Sequence, residues 1–296
     1  MCSIEYKPEL GCQLTMFKRL THWLENRRIN KLGFTAAQWE SAIADWPVML
    51  RYQGAERDKL RDMTFRFLAQ KSFTSGARFQ FTDAMGLKIA TMACVPILHL
   101  GLDWYKRWRT VIIYEGGFVP NRAYRSHDGV IHSKGPALSG EAWFRGPLIL
   151  SWDAVNESGA QTANGKASNV VIHEVAHKLD MLRDGANGAP PMHPNMRSGE
   201  WHRIFTAAWD RLQADYQQQR PLPLNEYGLT SPAEFFAVCS ETFFEAPTTM
   251  QEHMPEVYRL LCQFYRQQPV PIATPSMCTI TVSVAMLKVL SSRVEK

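Results

Sequence analysis

His173 and His177 stand four residues apart in the stretch VVIHEVAHKLDML, residues 170–182. On a helix that spacing puts both imidazoles on one face, a turn apart. Two imidazoles so related can each reach one Zn²⁺ at about 2.0–2.1 Å. Glu174 is the next residue round the helix and leaves that face. A carboxylate there is placed to take a proton from a water activated by the metal, not to bind the metal itself. Two histidines and a glutamate at these offsets also arise by chance, but rarely inside an apolar helix. Here Val170, Val171 and Ile172 lead in, Val175, Ala176 and Leu179 continue, Met181 and Leu182 close, and Asp184-Gly185 stops the pattern. A di-iron bundle also uses Glu-x-x-His, here Glu174 and His177. It needs the motif again on another helix, and the sequence holds no second copy. The chemistry indicated is hydrolysis at a zinc ion, one per chain.

A catalytic zinc keeps three protein ligands and one open position, so a third ligand has to come from outside this helix. A metzincin would place Gly at 180 and His at 183; Asp180 and Arg183 stand there, which excludes that class. His193 lies in a Pro-rich loop, PPMHP, and reads as a surface histidine. Glu200 opens the next helix, as a ligand or as a charge on the helix dipole. Glu234 lies in the apolar stretch YGLTSPAEFFAVCSETFF, residues 227–244. It also ends Ser231-Pro232-Ala233-Glu234, a capping box with Ser at the N-cap and Pro at N1. Taken alone, capping is the better account of Glu234, and Glu200 stays open. Asp180, three residues after His177, either orients a ligand imidazole or merely sits near the helix end. Glu241, two turns after Glu234, could serve the same orienting purpose.

The elements that hold these residues read as one ordinary globular protein. The chain has 296 residues, 45% hydrophobic and 21% charged, enough for one large domain or two small ones. A net charge of +5 is mild and makes no case for nucleic acid or membrane binding. No apolar run is long enough to span a bilayer, and no secretory signal is visible. The six cysteines form no C-x-x-C pair. Cys94, Cys239 and Cys262 sit in apolar segments and read as buried thiols, so a reduced cytoplasmic protein is expected.

Residues 1–16 read as an irregular extension. Phe17–Lys31 is a basic helix, better explained as a solvated face than as a membrane-surface element. Helices follow over Ala36–Trp46, capped by Thr35, over Ala55–Phe67, and from Thr82 to about Cys94. Strands begin after about residue 109. They are Thr110–Tyr114, a hairpin of Asn121–Arg125 and Val130–Ser133 around Asp128-Gly129, and Pro147–Trp152. Asn156–Gly165 reads as loop. Trp201–Gln217, Ser231–Phe244 and Gln251–Arg266 complete the helices. One domain over 17–269 is expected, with 270–296 a tail to which no role is assigned.

The paired stretches HEVAHKLD and YGLTSPAEFFAV resemble the Mlc titration factor A family of bacterial zinc metallopeptidases. They resemble, more distantly, the catalytic domain of lethal-factor type peptidases. The likeness is strongest over Gly146–Trp152, Val170–Asp180 and Tyr227–Phe244, and it does not reach 1–16 or 270–296. It implies an α+β, zincin-like fold, mainly helical, with a small mixed sheet beside the active-site helix. It implies Glu234, rather than Glu200, as the third zinc ligand and Tyr227 as an active-site residue. It implies aminopeptidase-like action on short peptides and binding of the glucose-responsive transcription repressor Mlc, a link to glucose-uptake control.

In that scheme Glu174 is the general base, and the Tyr227 hydroxyl supports the developing oxyanion. Without the resemblance Tyr227 is an ordinary loop tyrosine. An extended peptide substrate is expected to pair with an exposed strand, for which Pro147–Trp152 is the first choice; its composition fits a buried central strand equally well. A rival reading is a repressor-sequestering protein whose zinc site is structural or vestigial. The intact Glu174 argues against that, because a structural zinc needs no base beside it.

Overall fold

Local signals start the helices. A first helix (α1) includes residues 26–32. Thr35 and Gln38 form a reciprocal capping box at the start of α2 (Ala36–Ala42). Thr82 caps α4 (Asp83–Cys94) by accepting from the Met85 amide. Between them, α3 (Gly54–Gln70) buries Leu60, Met63 and Phe67 on one side. The computed structural model describes residues 26–76, 79–119, 124–125, 131–132, 138–159, 166, 168–183 and 185–270. The expected extension 1–16, the Asp128-Gly129 turn and the tail beyond Val270 lie outside them.

The sheet is small and mixed. β1 (Ser72–Ser75), β2 (Thr110–Tyr114) and β6 (Leu148–Ser151) run parallel, and β5 (Gly140–Ala142) closes one edge antiparallel to β6. β3 (Tyr124–Arg125) and β4 (Ile131–His132) pair separately, Tyr124 opposite His132, as the expected hairpin requires. Parallel neighbours need a crossover, and α4 provides it between β1 and β2. Its residues Gly86–Cys94 are all buried.

The remaining elements build the site. β6 runs directly into α5 (Trp152–Glu157), a short helix that takes the last residue of the expected strand and the first two of the expected loop. Next come α6 (Val170–Asp180), α7 (Ser198–Gln217) and α8 (Pro232–Glu245). The expected helix over 251–266 is two, α9 (Pro247–His253) and α10 (Pro255–Tyr265), because Pro255 cannot continue a helix. Likewise α2 stops at Ala42, short of the expected Trp46, and Pro47 opens a separate 3₁₀ turn. Among the described residues no helix is long and apolar enough to cross a membrane.

One continuous apolar core takes residues from Trp39 to Tyr265. α6 lies between the sheet and α8. Val171, Ile172, Val175, Ala176 and Leu179 give it a buried apolar side. α8 is buried from Phe235 to Phe244. Phe236 meets the rings of Trp201, Phe205 and Phe264, and Phe243 stacks on Tyr265. This packing fixes the separation of α6 and α8, and so the distances among the side chains between them.

The expectation that 147–152 is an exposed edge is overturned. β6 lies between β2 and β5, with Ile149 opposite both Ile112 and Glu141, and all four of its residues are buried. The edge beside α6 is β5. Its sequence, Gly-Glu-Ala, carries no β-branched or aromatic residue to announce a strand.

Candidate metal centre

Asn169 begins α6. Its side-chain oxygen accepts from the Ile172 amide, which starts the helix and sets the rotation of all that follows. His173 and His177 then face α8 together, with Nε2 atoms 3.2 Å apart. Ser231 and Pro232 start α8 as expected, and the Ser231 hydroxyl accepts from the Glu234 amide. Only that half of the capping box forms. The Glu234 side chain turns the other way, with Oε2 2.9 Å from His173 Nε2 and 3.3 Å from His177 Nε2.

Among the described residues, His173, His177 and Glu234 are the group whose ligand atoms all lie within 4.8 Å of one another. Tetrahedral ligands at about 2.0–2.1 Å from one ion lie about 3.3–3.4 Å apart. The observed separations, 2.9, 3.2 and 3.3 Å, are close to that spacing. The donor set, two imidazoles and one carboxylate, is that of a catalytic zinc site. The residues present fit a metal.

The partners behind the three groups hold them in this arrangement. His173 Nδ1–H donates to Glu241 Oε1 at 2.8 Å, which fixes the ring and turns Nε2 toward the cluster. The other oxygen of Glu241 accepts from the Asn169 amide at 2.6 Å. Asn169 Nδ2 donates to Glu245 Oε1, which also accepts from the Trp46 indole. A chain of hydrogen bonds thus runs from the N-terminal helices to His173. Of the two residues expected to orient a ligand, Glu241 does so and Asp180 does not. The Asp180 carboxylate accepts the amides of Asn187, Gly188 and Ala189 at 2.7–2.9 Å and anchors that loop. His177 Nδ1 is buried and has no hydrogen-bond partner among the described residues.

Electrostatics separate the carboxyls by role. Burial would raise Glu234, but hydrogen bonds from His173 and His177 outweigh it and hold the carboxyl down at about 2. Burial opposes protonation of His173; its bonds to Glu234 and Glu241 win, and its pKa lies well above the usual imidazole range. Glu174 is buried and, among the described residues, has no hydrogen-bonded cation. Burial lifts its carboxyl to about 7, against the pull of His173 and His177. One site therefore holds one carboxyl suited to ligation and one suited to exchanging protons.

Tyr227 sits in the 3₁₀ turn Glu226–Leu229, half exposed, its ring 6.0 Å from that of His173. It lines a cavity of about 600 Å³ with Gly140, Glu157, His173, Glu174 and Glu241. Two rejected ligand candidates lie elsewhere in contacts of their own. Glu200 pairs with Arg259 at 2.6 Å. His193, expected at the surface, is buried: Nε2–H donates to the Phe264 carbonyl and Nδ1 accepts from Arg266. Sequence reasoning missed Gly140. A Cβ there would fall 2.4 Å from Glu174 Oε1 and 2.7 Å from its Cγ, so the edge strand approaches the glutamate as only glycine permits.

A buried His-Glu-x-x-His helix with a glutamate from a second helix closing the group is the arrangement of a metallopeptidase. Comparison with known proteins agrees. The profile of the glucose-regulated metallo-peptidase M90 family matches residues 20–266, and the chain belongs to that family. It is 34% identical over 236 residues to Mlc titration factor A of Escherichia fergusonii, covering 79% of this chain and 87% of that protein. To Mlc titration factor A of Klebsiella pneumoniae subsp. pneumoniae it is 32% identical over 239 residues, 80% of this chain and 88% of the relative. Among solved structures, the PRO-PRO endopeptidase PPEP-2 from Paenibacillus alvei aligns with a TM-score of 0.41 at 15% identity, over 69% of this chain and 98% of that one. A metallopeptidase family implies a divalent metal, for which the cluster above is suited.

The reassignment of Asp180 is testable. Asp180→Ala is expected to lower unfolding stability by about 2–4 kcal/mol, from the loss of three charge-assisted bonds. Urea denaturation measures this. Metal affinity, read by chelator competition, should stay within about threefold, since a residue orienting a ligand typically costs 10–100-fold. A loss of affinity in that higher range returns Asp180 to a ligand-orienting role.

Proposed function

We propose that this chain is a cytoplasmic zinc peptidase, aminopeptidase-like toward short peptides, that also binds the transcription repressor Mlc. The observation that carries the enzymatic part is the convergence of His173, His177 and Glu234 with the buried Glu174 beside them. Zinc held by those three residues would polarise a peptide carbonyl and acidify water. The protein's own groups do the rest. Glu174 takes the proton of the attacking water on a carboxylate oxygen and passes it to the leaving amine nitrogen; burial, which raises its carboxyl, favours its accepting that proton. Glu241 keeps the proton on His173 Nδ1 and so holds the ring in register. The Tyr227 hydroxyl, on the cavity wall, donates to the developing oxyanion.

The substrate lies extended along β5. Among the described residues β5 pairs on one side only, with β6, and Glu174 packs against its Gly140. Main-chain pairing there reads no sequence, which suits action on varied short peptides. The exopeptidase preference is supported by charge. The cavity wall includes Glu157, Glu174 and Glu241, and no Lys or Arg among the described residues lining it. Such a wall favours the ammonium end of a peptide over its carboxylate end. The repressor-binding part rests on the relatives' name, which ties them to Mlc. It would connect the chain to glucose-uptake gene expression, and binding a transcription repressor would require a cytoplasmic location.

Three measurements test these assignments. Glu174→Gln is expected to keep its zinc and lose about 10²–10⁴-fold in kcat, while repressor binding persists. Near-normal hydrolysis at full zinc occupancy removes Glu174 from the mechanism; repressor binding by a zinc-loaded wild-type chain that cleaves no peptide would revive the sequestering protein. Glu234→Ala should lose stoichiometric zinc and Glu200→Ala should not; zinc retained in the Glu234 variant would leave that residue a helix cap. Last, a peptide with a free N-terminus is expected to be cleaved at least about tenfold faster than its N-acetylated form. Equal rates would make the enzyme an endopeptidase.

A further inference from the structure

Glu174 and Lys178 are four residues apart on α6 and share a face, adjacent to the one that carries His173 and His177. That face meets the β5–β6 hairpin at two points. At one, Glu174 packs against Gly140 so closely that a Cβ has no room. At the other, Lys178 Nζ donates to the carbonyls of Trp143, Gly146 and Pro147 at 2.6, 2.9 and 3.0 Å. An ammonium has three donors and no acceptor. All three are used, on one turn, and the lysine is 4% exposed. The turn is tight in its own right. The Gly146 amide donates to the Trp143 carbonyl, Arg145 has φ 53°, and a Cβ at residue 146 would lie 2.8 Å from that of Trp143. Three carbonyls converging on one point would repel one another without a cation between them. The lysine therefore holds the hairpin to the helix, and not only the helix to the core.

We infer that Lys178 is a positioning residue that seats the edge strand β5 beside Glu174 and the metal cluster, and so sets where an extended substrate binds. The inference rests on the peptidase reading above. Lys178 touches neither substrate nor metal in this scheme; it acts through the strand. A peptide long enough to run along β5 depends on that seating. A dipeptide, held at the metal cluster alone, does not.

The test compares a hexapeptide and a dipeptide on the zinc-loaded full chain. Lys178→Met is expected to raise KM for the hexapeptide about tenfold or more, the effect of losing one or two well-placed main-chain bonds. KM for the dipeptide should stay within about twofold. Hydrogen exchange, which needs no activity, should be faster at the amides of residues 140–148, with zinc content unchanged. Lys178→Gln, neutral but still a donor, should give a hexapeptide KM between the two. A folded Met variant with wild-type KM for the hexapeptide, or with both substrates impaired equally, overturns the proposal. So does failure of both variants to fold, which would make the lysine a residue of stability alone. If the wild-type zinc enzyme cleaves neither peptide, the peptidase reading fails, and the exchange rates still report whether Lys178 seats the strand.

Discussion

The bond between His173 Nδ1 and Glu241 is the interaction on which the site depends. Glu234, Glu241 and Glu245 lie on α8 toward α6, Glu174 lies on the adjacent, sheet-facing side of α6, and burying that many carboxyls together is costly unless cations answer them. Lys178 answers from the sheet side and the two histidines from within. In the protein alone, His173 is held strongly toward its protonated form by Glu234 and Glu241. A dication held by His173, His177 and Glu234 would supply that positive charge instead, with Glu241 holding His173 Nδ1, so the site is already shaped for positive charge. Acidic lining and preformed geometry are two aspects of one constraint.

Most of α6 was legible because its signals agree. The His-Glu-x-x-His spacing and the apolar i, i+3, i+4 pattern specify the same helix in the same rotation; the capping Asn169 went unread. Glu234 was ambiguous for a reason local sequence cannot resolve. A glutamate at N3 after Ser-Pro-Ala is an ordinary cap, and a glutamate one turn into a buried helix is an ordinary ligand. The structure shows the Ser231 hydroxyl capping the amide while the Glu234 side chain goes to the histidines, so the residue takes part in both patterns through different atoms. Glu241 offered still less. Its spacing from Glu234 puts it on the same side of α8, but only the approach of α6 brings Asn169 and His173 to its two oxygens.

The strands were read less well: β1 (Ser72–Ser75), in the part expected to be wholly helical, and β5 were not read at all. Gly140-Glu141-Ala142 has poor strand propensity, and it is a strand because β6 pairs with it. The residue that suits it to the site, Gly140, is also the one that weakens its signature. PLILSW gave the opposite error: an apolar run fits an edge or a centre, and its position between β2 and β5 follows from non-local pairing. His193 was misplaced for a related reason. A Pro-rich loop is usually exposed, but this one lies under α10, where the Phe264 carbonyl needs a donor.

A single helix thus carries three kinds of specification at once. Its apolar side, Val171, Ile172, Val175 and Leu179, sets its place in the core. Its histidines face α8. Glu174 and Lys178 face the sheet, one against a glycine and the other in a turn of carbonyls. The helical period makes these faces adjacent, so Glu174 is held between the His173–His177–Glu234 cluster and the strand without any long loop to position it. A rotation of α6 by a small fraction of a turn would spoil all three together: apolar groups would meet water, the cluster would open and Lys178 would leave its carbonyls. The core packing that stabilises the protein therefore also holds the distances within the cluster, and a substitution that shifts α6 is expected to change those distances and stability together.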